Sequence, residues 1–262
     1  MLWLVDEMRR VRGLAFDVSG AHDPGMARRR SSGGINRREA IAGLTASCAG
    51  VLATQSLAQS PAESRTTSCV LTPQTGEGPF YFDPKLVRSD ITEGRPGVPL
   101  TLDIRVVTAG DCTPMQKARV DIWHADARGL YSGYSGQSGS GASTDRSEKG
   151  KTFLRGTQFA DADGLTTFRT IYPSWYRGRT PHIHFKVFLE PREVAVSQIY
   201  FPDDVSDRVF AGSKVYAARR RDRDPFNEND MFLRGRVGGA FSEVVEEGAA
   251  YRATVVIGIE KG

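Results

Sequence analysis

The chain has 262 residues, of which 39% are hydrophobic and 25% are charged, and its formal net charge is +4. This composition excludes an intrinsically disordered chain, and the length allows a sizeable buried core. No run of residues is long and apolar enough for a transmembrane helix, so no membrane span is expected in the mature protein.

The small basic excess lies mostly at the front of the chain. Residues 1–60 carry a net charge of +3, which leaves +1 for all the rest. A nucleic-acid surface needs clustered Lys and Arg, and the one later basic run, Arg219–Asp224, contains two acids. We therefore expect no nucleic-acid partner.

The first predicted element is a leader over residues 1–60. Arg37 and Arg38 precede a weakly apolar run of small residues, Ala40–Ala58, which is typical of a secretory signal and resembles a twin-arginine signal. We expect the twin-arginine export machinery as a partner and a periplasmic or extracellular mature protein. A start at Met26 would give a leader of more ordinary length. The alternative, an amphipathic helix of the domain, is disfavoured because the run has no apolar stripe at helical spacing.

The chain contains three cysteines. Cys48 would be lost with the leader, and Cys69 and Cys112 would then form an even pair in an oxidising compartment. The sequence predicts a disulfide between them. Two buried free thiols are the alternative.

Residues 61–262 are predicted to form one all-β domain, a β-sandwich of two mainly antiparallel sheets with long loops around the site. Short segments in which apolar and polar residues alternate are separated by frequent turn signals. The predicted strands are Leu100–Val107, Ala118–Trp123, Thr152–Gly156, Leu165–Ile171, Ile183–Leu189, Ser197–Phe201 and Tyr251–Ile259. A Gly/Ser-rich loop is predicted over 133–150, and one or two helical turns near 203–217.

Two of the four histidines stand two residues apart in a predicted strand. Because side chains alternate faces along a strand, Ile183 and Phe185 should face the core, and His182 and His184 should share the other face. Two imidazoles this close together suit a single metal ion better than a plain solvent-exposed surface. The sequence therefore predicts a metal site on this strand.

The residue types near the histidines bear on which metal is bound. A structural zinc site would require thiolates, and only two cysteines lie outside the leader. Tyr131 follows a strand-like segment and Tyr176 stands six residues before His182. Phenolate is a hard oxygen donor that suits Fe(III), a cation acidic enough to ionise tyrosine. Tyrosines at strand ends are more often core or rim residues, so chemistry alone leaves both interpretations open.

An ordered set of motifs resembles the intradiol ring-cleavage dioxygenases, the family of catechol 1,2- and protocatechuate 3,4-dioxygenases. The likeness runs from about Cys69 to the C-terminus and is greatest to exported single-domain members. The matching segments are Cys69–Pro73, Glu77–Tyr81, Val120–Ala125, Gly129–Ser132, Asp163–Gly164, Pro173–Tyr176 and Arg179–Phe185.

The resemblance implies one non-haem Fe(III) ion per chain, bound by Tyr131, Tyr176, His182 and His184. It implies a small aromatic diol of the catechol type and O₂ as substrates, with intradiol cleavage to a cis,cis-muconate-type product. The substrate could be catechol, protocatechuate, hydroxyquinol or a substituted catechol, and the oligomeric state is left open. We expect this chain to lack the helical N-terminal dimerisation region of many cytoplasmic relatives.

The resemblance also implies roles for three residues in the reaction. Tyr176 would leave the metal when the diol binds and would act as a base. Arg179 would balance negative charge that develops on the ring, and the alternative for this residue is a salt bridge at the rim. Gln198 matches a family glutamine near the iron. His124 is expected to be a packed or rim histidine without a role in the reaction.

Two other functions fit part of the sequence. The segment 118–176 also looks like transthyretin-like and carboxypeptidase-regulatory-like sandwiches, which would make the protein a non-catalytic exported binding module. Such a module has no reason to place two tyrosines and two histidines together. A cupin-like His-x-His metal enzyme would need a further downstream histidine, and none follows His184.

Overall fold

The computed structural model describes residues 69–135, 137, 147–220, 223, 225–233 and 240–260. The predicted leader, with Arg37, Arg38 and Cys48, lies outside these residues, as does part of the Gly/Ser-rich loop. None of the helices in the described ranges is long and apolar enough to cross a bilayer.

The described residues form nine strands and two short α-helices. The strands are β1 (Pro99–Thr108), β2 (Arg119–Trp123), β3 (Arg155–Phe159), β4 (Leu165–Ile171), β5 (His182–Leu189), β6 (Arg192–Tyr200), β7 (Ala240–Phe241), β8 (Glu243–Glu247) and β9 (Ala250–Ile259). The helices are α1 (Asp203–Gly212) and α2 (Ala217–Arg220), and a single 3₁₀ turn covers Asn227–Asn229.

The strands form two sheets, in the orders β4-β1-β9-β8 and β3-β2-β5-β6-β7. Most neighbouring strands are antiparallel, which confirms the predicted all-β sandwich of mainly antiparallel sheets. Each sheet also contains one parallel pair, β1 with β9 and β6 with β7. The first of these pairs places the C-terminal strand in the middle of its sheet.

The core lies between the two sheets and is built from alternate positions of their strands. Leu102 and Ile104 of β1 and Ile183 and Phe185 of β5 are all fully buried there. Burying a large apolar side chain stabilises the fold by roughly 1.5–3 kcal/mol. The alternation of β5 thus fixes which of its side chains face away from the core.

Four strands differ from the prediction. β6 begins at Arg192 rather than Ser197, because it continues its antiparallel pairing with β5 as far as Leu189. β3 begins at Arg155 rather than Thr152, because Leu154 adopts a φ of 56°, a left-handed conformation that interrupts an extended strand. Phe153 and Leu154 pack instead against Ile171 in a small separate cluster. The sequence does not predict β7, which has two residues, or β8, whose charged residues form an edge beside β9.

Residues 69–92 form a segment that we call the strap. Its ends pair with β9 and β4 of the first sheet, and its middle, around Glu77–Tyr81, lies on the face of the second sheet opposite the core. The Oη of Tyr81 donates a hydrogen bond to Asp121 Oδ2 on β2 at 2.9 Å. Glu77 forms an ion pair with Lys186 of β5. The strap therefore covers the side of β2 and β5 that carries the predicted metal ligands.

A disulfide joins Cys69 at the start of the strap to Cys112, and their Cα atoms are 5.2 Å apart. Gly110 N–H also donates to the carbonyl oxygen of Cys69 at 2.8 Å. The beginning of the strap is thereby tied to the turn that follows β1.

Candidate functional site

Four polar side chains converge on the face of the second sheet opposite the core. The Nε2 atoms of His182 and His184 lie 3.0 Å apart, and Tyr131 Oη lies 3.3 Å from the first and 3.1 Å from the second. Tyr176 Oη lies 3.2 Å from His182 Nε2 and 3.4 Å from Tyr131 Oη. The structure thus brings together the four side chains that the resemblance named as ligands.

Strand register explains which residues surround the histidines. Residues paired directly across neighbouring strands have their side chains on the same face. A single row therefore crosses the sheet through Arg155 of β3, Trp123 of β2, His184 of β5 and Gln198 of β6. This row places Gln198 beside the cluster, although it stands fourteen residues after His184 in the chain.

A tight turn after β2 presents Tyr131. Asp126 Oδ1 accepts a hydrogen bond from Leu130 N–H at 3.0 Å. Gly129 adopts a φ of 79°, and a Cβ at this position would stand 2.9 Å from the carbonyl oxygen of Trp175. The turn therefore requires glycine both for its backbone conformation and for its close approach to the loop that carries Tyr176.

A second turn, between β4 and β5, presents Tyr176. Its two central residues are Arg177 and Gly178, and paired backbone hydrogen bonds of 3.2 and 2.8 Å join Tyr176 to Arg179. Gly178 adopts a φ of 75°. The turn places the side chains of Tyr176 and Arg179 next to each other, immediately before β5 begins.

The strap supplies the wall of the site on the side away from the sheet. The ring of Phe80 stacks on the ring of Tyr131, with centroids 4.5 Å apart and 19° between the planes. Gly78 approaches so closely that a Cβ there would lie 3.4 Å from His184 Cε1. The Glu77–Tyr81 motif of the sequence is thus part of the site.

The hydrogen bond of His182 fixes its tautomer. Its Nδ1 lies 2.7 Å from the carbonyl oxygen of Thr180, and a carbonyl can only accept a hydrogen bond. The proton is therefore on Nδ1, and Nε2 presents a lone pair to the cluster. Such an orienting bond to the second ring nitrogen is usual for metal-binding histidines.

Burial shifts the pKa values of all four side chains. Desolvation raises the pKa of Tyr131 well above its usual value, and it also raises that of Tyr176. Desolvation lowers the pKa values of His182 and His184 well below the usual value for histidine. Without a bound cation the four groups are therefore two neutral phenols and two neutral imidazoles.

The donor set fits a hard, trivalent cation such as Fe(III). Among the described residues no group of three or more His, Cys, Asp or Glu side chains could hold a metal ion, so any metal here depends on the tyrosines. Phenol oxygens bind a cation strongly only as phenolates, and a strongly acidic ion such as Fe(III) lowers the pKa of its ligands enough to form them. The lone pair on His182 Nε2 agrees with this assignment.

Arg179 and Gln198 border the cluster and contact each other. Arg179 Nη1 donates to Tyr176 Oη at 3.3 Å, and Nη2 donates to Gln198 Oε1. Tyr200 Oη donates to the same Gln198 oxygen at 2.9 Å. Arg179 is 5% exposed, so it is a buried residue and not the rim salt bridge of the alternative interpretation.

The structure adds site residues to which the sequence analysis assigned no role. Trp123 stacks on His184, Phe80 stacks on Tyr131, and Asp230 binds Arg179. Trp123 and Phe80 lie in motifs that were recognised, but their contacts depend on strand register and on the path of the strap. Asp230 has no local signal, because its partner stands fifty-one residues earlier in the chain.

His124 lies apart from the cluster. It is 1% exposed, with Nδ1 2.8 Å from the carbonyl oxygen of Ala125 and Nε2 2.7 Å from Thr170 Oγ1. Burial lowers the pKa of His124 to about 4. It is therefore a packed histidine with both nitrogens occupied.

Comparisons with known proteins give consistent matches. A protein-family model described as "Dioxygenase" matches residues 76–223. Catechol 1,2-dioxygenase of Acinetobacter baylyi is 28% identical over 204 residues, which cover 66% of this chain and 60% of that protein. Catechol 1,2-dioxygenase 1 of Acinetobacter lwoffii is 34% identical over 110 residues, 40% of this chain and 32% of that protein. The chain thus spans less than two thirds of the length of these curated relatives.

A solved structure gives a longer match. An intradiol ring-cleavage dioxygenase from Tetranychus urticae superposes with a TM-score of 0.65 at 28% identity. The match covers 73% of this chain and 95% of that one. The similarity therefore includes nearly the whole of a protein of that type.

Proposed function

This chain belongs to the intradiol ring-cleavage dioxygenase family, and from that premise we propose that it is a non-haem Fe(III) enzyme acting on a catechol-type aromatic diol. The ring would open between the two hydroxyl-bearing carbons, and both atoms of O₂ would enter the product. Catechol itself would give cis,cis-muconate. The observation that carries the proposal is the convergence of two phenol oxygens and two imidazole nitrogens, 3.0–3.4 Å apart, in a buried site.

Tyr131, Tyr176, His182 and His184 would hold one iron ion per chain. When bound, Fe(III) supplies the Lewis acidity that favours the phenolate form of its ligands and makes a chelated diol reactive towards O₂. The protein contributes the preset direction of these donors, since the Thr180 carbonyl holds the His182 ring in one tautomer.

Tyr176 would act as a base for the substrate. A diol must lose protons to bind as an anion, and a phenolate oxygen at the position of Tyr176 Oη can take one of them. The Arg179 guanidinium lies 3.3 Å from that oxygen, so it would stabilise negative charge on the bound diol and on the ring during the reaction. Gln198 would hold the guanidinium from its other side.

Aromatic side chains cover two members of the cluster. Phe80 covers Tyr131 and Trp123 covers His184, and Tyr131, His182 and His184 are each at most 2% exposed, whereas Tyr176 keeps partial exposure. A site with little water strengthens the interaction between Arg179 and an anionic substrate.

A non-catalytic binding module, of the transthyretin-like or carboxypeptidase-regulatory-like kind, is the alternative function. Burying polar side chains costs free energy unless they are partnered. A sandwich that only binds through its surface has no need of four converging donors behind the strap. The cluster therefore favours the enzyme.

The colour of the purified, iron-loaded protein tests the metal site. Charge transfer from tyrosinate to Fe(III) should give an absorption band in the visible range. Tyr176→Phe should shift and weaken the band, and His182→Ala should release most of the iron. Tyr251→Phe changes a buried tyrosine of β9 outside the cluster, so this variant should keep both the visible band and the bound iron. Stoichiometric iron without a visible band would contradict the ligand assignment.

Product analysis tests the reaction. Catechol, protocatechuate and hydroxyquinol are offered separately, and O₂ uptake is compared with the mass and ultraviolet spectrum of the product. A ring-opened dicarboxylate with both oxygen atoms from ¹⁸O₂ supports intradiol cleavage. A semialdehyde from cleavage beside the diol, or no turnover by the coloured protein, would contradict the proposal.

We also propose that the protein is exported by the twin-arginine route. Support comes from the Arg37–Arg38 pair in the sequence and from the Cys69–Cys112 disulfide, since disulfides persist mainly in oxidising compartments. In a bacterial host the wild-type chain should appear shortened outside the cytoplasm. The double variant Arg37→Lys, Arg38→Lys should accumulate uncleaved inside the cell, and equal export of both proteins would rule out the route.

A further inference from the structure

Asp230 reaches the site from beyond residue 223, where the family-model match ends. Its side chain is fully buried. Oδ2 accepts hydrogen bonds from Arg179 Nε at 3.0 Å and from the backbone N–H of Thr180 at 2.9 Å. Oδ1 accepts a bond from the backbone N–H of Phe232 at 2.8 Å. Three N–H groups therefore bind the two oxygens of one carboxylate.

These contacts determine where the Arg179 guanidinium points. A guanidinium is planar, so fixing Nε by a charged hydrogen bond also fixes the directions of Nη1 and Nη2. Nη1 then donates to Tyr176 Oη and Nη2 to Gln198 Oε1. The ring of Phe232 lies 4.3 Å from Arg179 Cζ and covers the guanidinium.

We infer that Asp230 is a positioning residue for the proposed ring cleavage, acting through Arg179. Its carboxylate holds the guanidinium beside Tyr176 Oη, where it meets the anionic diol. This inference rests on the proposed function for its kinetic consequence, whereas the hydrogen bonds of Asp230 do not depend on it. The carboxylate also pairs with the buried Arg179 charge, which would otherwise be costly to bury.

Asparagine cannot replace Asp230 at this position. An amide has one acceptor oxygen and one NH₂ group, whereas the site presents N–H donors to both side-chain atoms. If the amide oxygen faces Arg179 and Thr180, the NH₂ group opposes the Phe232 N–H. If it faces Phe232, the NH₂ group opposes Arg179 Nε. Either orientation leaves a buried donor unpaired and loosens the guanidinium.

Steady-state kinetics of iron-loaded Asp230→Asn test the inference. We expect kcat/KM to fall about 100-fold, the size of loss that a misplaced catalytic group causes. Iron content should stay at the wild-type value because the four ligands remain, and the visible band should persist with at most a small shift, since Arg179 donates to Tyr176. The matched control is Asp103→Asn, which removes a carboxylate paired with Arg252 on the other sheet and should leave kcat/KM within about twofold. Loss of iron in Asp230→Asn, or kcat/KM within threefold of wild type, would overturn the inference.

A double-mutant cycle separates positioning from a general structural effect. If Asp230 acts through Arg179, adding Asp230→Asn to Arg179→Gln should cause little further loss of kcat/KM. An equal factor in both backgrounds would show that Asp230 acts in another way and would overturn the inference.

Hydrogen exchange in the metal-free wild-type protein needs neither an Asp230 variant nor activity. The Arg179 Nε–H resonance, assigned by its loss in Arg179→Gln, should exchange with solvent at least about tenfold more slowly than that of Arg208, whose side chain is half exposed. Rapid exchange at Arg179 would overturn the inference even if Asp230→Asn does not fold. Failure of ring cleavage by the wild type would instead refute the proposed function and leave this measurement valid.

Discussion

The indole of Trp123 lies parallel to the imidazole of His184, with ring centroids 4.8 Å apart and 10° between the planes. The two residues face each other directly across β2 and β5. Tyr81 of the strap packs against the same indole at 4.7 Å. The orientation of one proposed iron ligand is therefore set by packing from a neighbouring strand.

Replacing Trp123 should weaken both the fold and the metal site. Trp123→Ala removes the support of His184, and we expect iron affinity to fall by about tenfold or more, as for the loss of other orienting partners of metal ligands. The free energy of unfolding should fall by about 3–5 kcal/mol. Iron competition and chemical denaturation measure the two effects. Trp123→Phe keeps a ring over the imidazole, so it should lose much less iron affinity and much less stability. Equal losses in the two variants would argue against stacking as the cause.

Gly129→Ala should disturb the site more than the strain of its left-handed backbone alone would. Gly129 and Gly110 adopt φ values of 79° and 93°, but a Cβ at Gly129 would lie 2.9 Å from Trp175 O, and a Cβ at Gly110 would meet nothing within 4 Å. The left-handed backbone should cost each alanine variant about 1–2 kcal/mol. Only Gly129→Ala should also shift the Tyr131 turn and lower kcat by tenfold or more. Similar stability and activity in the two variants would contradict the close-approach argument.

His124 should make the stability of the protein depend on pH. Desolvation lowers the pKa of His124 in the folded state to about 4, whereas an unfolded histidine titrates near its usual value of about 6.5. Above pH about 6.5, His124 is neutral in both the folded and the unfolded state, and the protein keeps its full stability. As pH falls from about 6.5 towards 4, the unfolded state binds a proton that the folded state does not, so the free energy of unfolding decreases. The full effect is about 3 kcal/mol.

Urea denaturation of the metal-free protein at pH 7.5 and pH 4.5 measures this effect. His124→Gln, which stays neutral, should lose less stability on acidification than the wild type does. His182 and His184 are present in both proteins, so their contributions cancel in the difference. Parallel pH profiles for the two proteins would show that His124 does not contribute.

Removing the disulfide should destabilise the domain and free the start of the strap. Cys69 and Cys112 are separated by 43 residues, and closing a loop of that size stabilises a protein by about 2–4 kcal/mol. The double variant Cys69→Ser, Cys112→Ser should therefore unfold at lower denaturant concentration. Treating the wild type with a reductant should give the same shift, and the double variant itself should not respond to reductant. A wild type that is insensitive to complete reduction would contradict the prediction.

Local pattern predicted much of the fold. The alternation in β1, β2, β4 and β5 follows from the period of a strand, and the core residues Leu102, Ile104, Ile183 and Phe185 are where that period places them. β8 could not be predicted in this way, because its Glu-rich residues form a strand only through hydrogen bonds to β9. β3 begins three residues later than predicted, because Leu154 takes a left-handed conformation that the sequence does not signal.

The shared direction of His182 and His184 could be predicted from the sequence, since it follows from backbone geometry within three residues of one strand. Ordered motifs further identified the tyrosines and Arg179 by resemblance. Folding of the whole domain is needed to bring Tyr131 and Tyr176, from two separate turns, to those imidazoles. It also brings Trp123 against His184 and Asp230 against Arg179. Contacts between residues far apart in the chain depend on strand register and loop paths, which the whole packed core selects and no local pattern specifies.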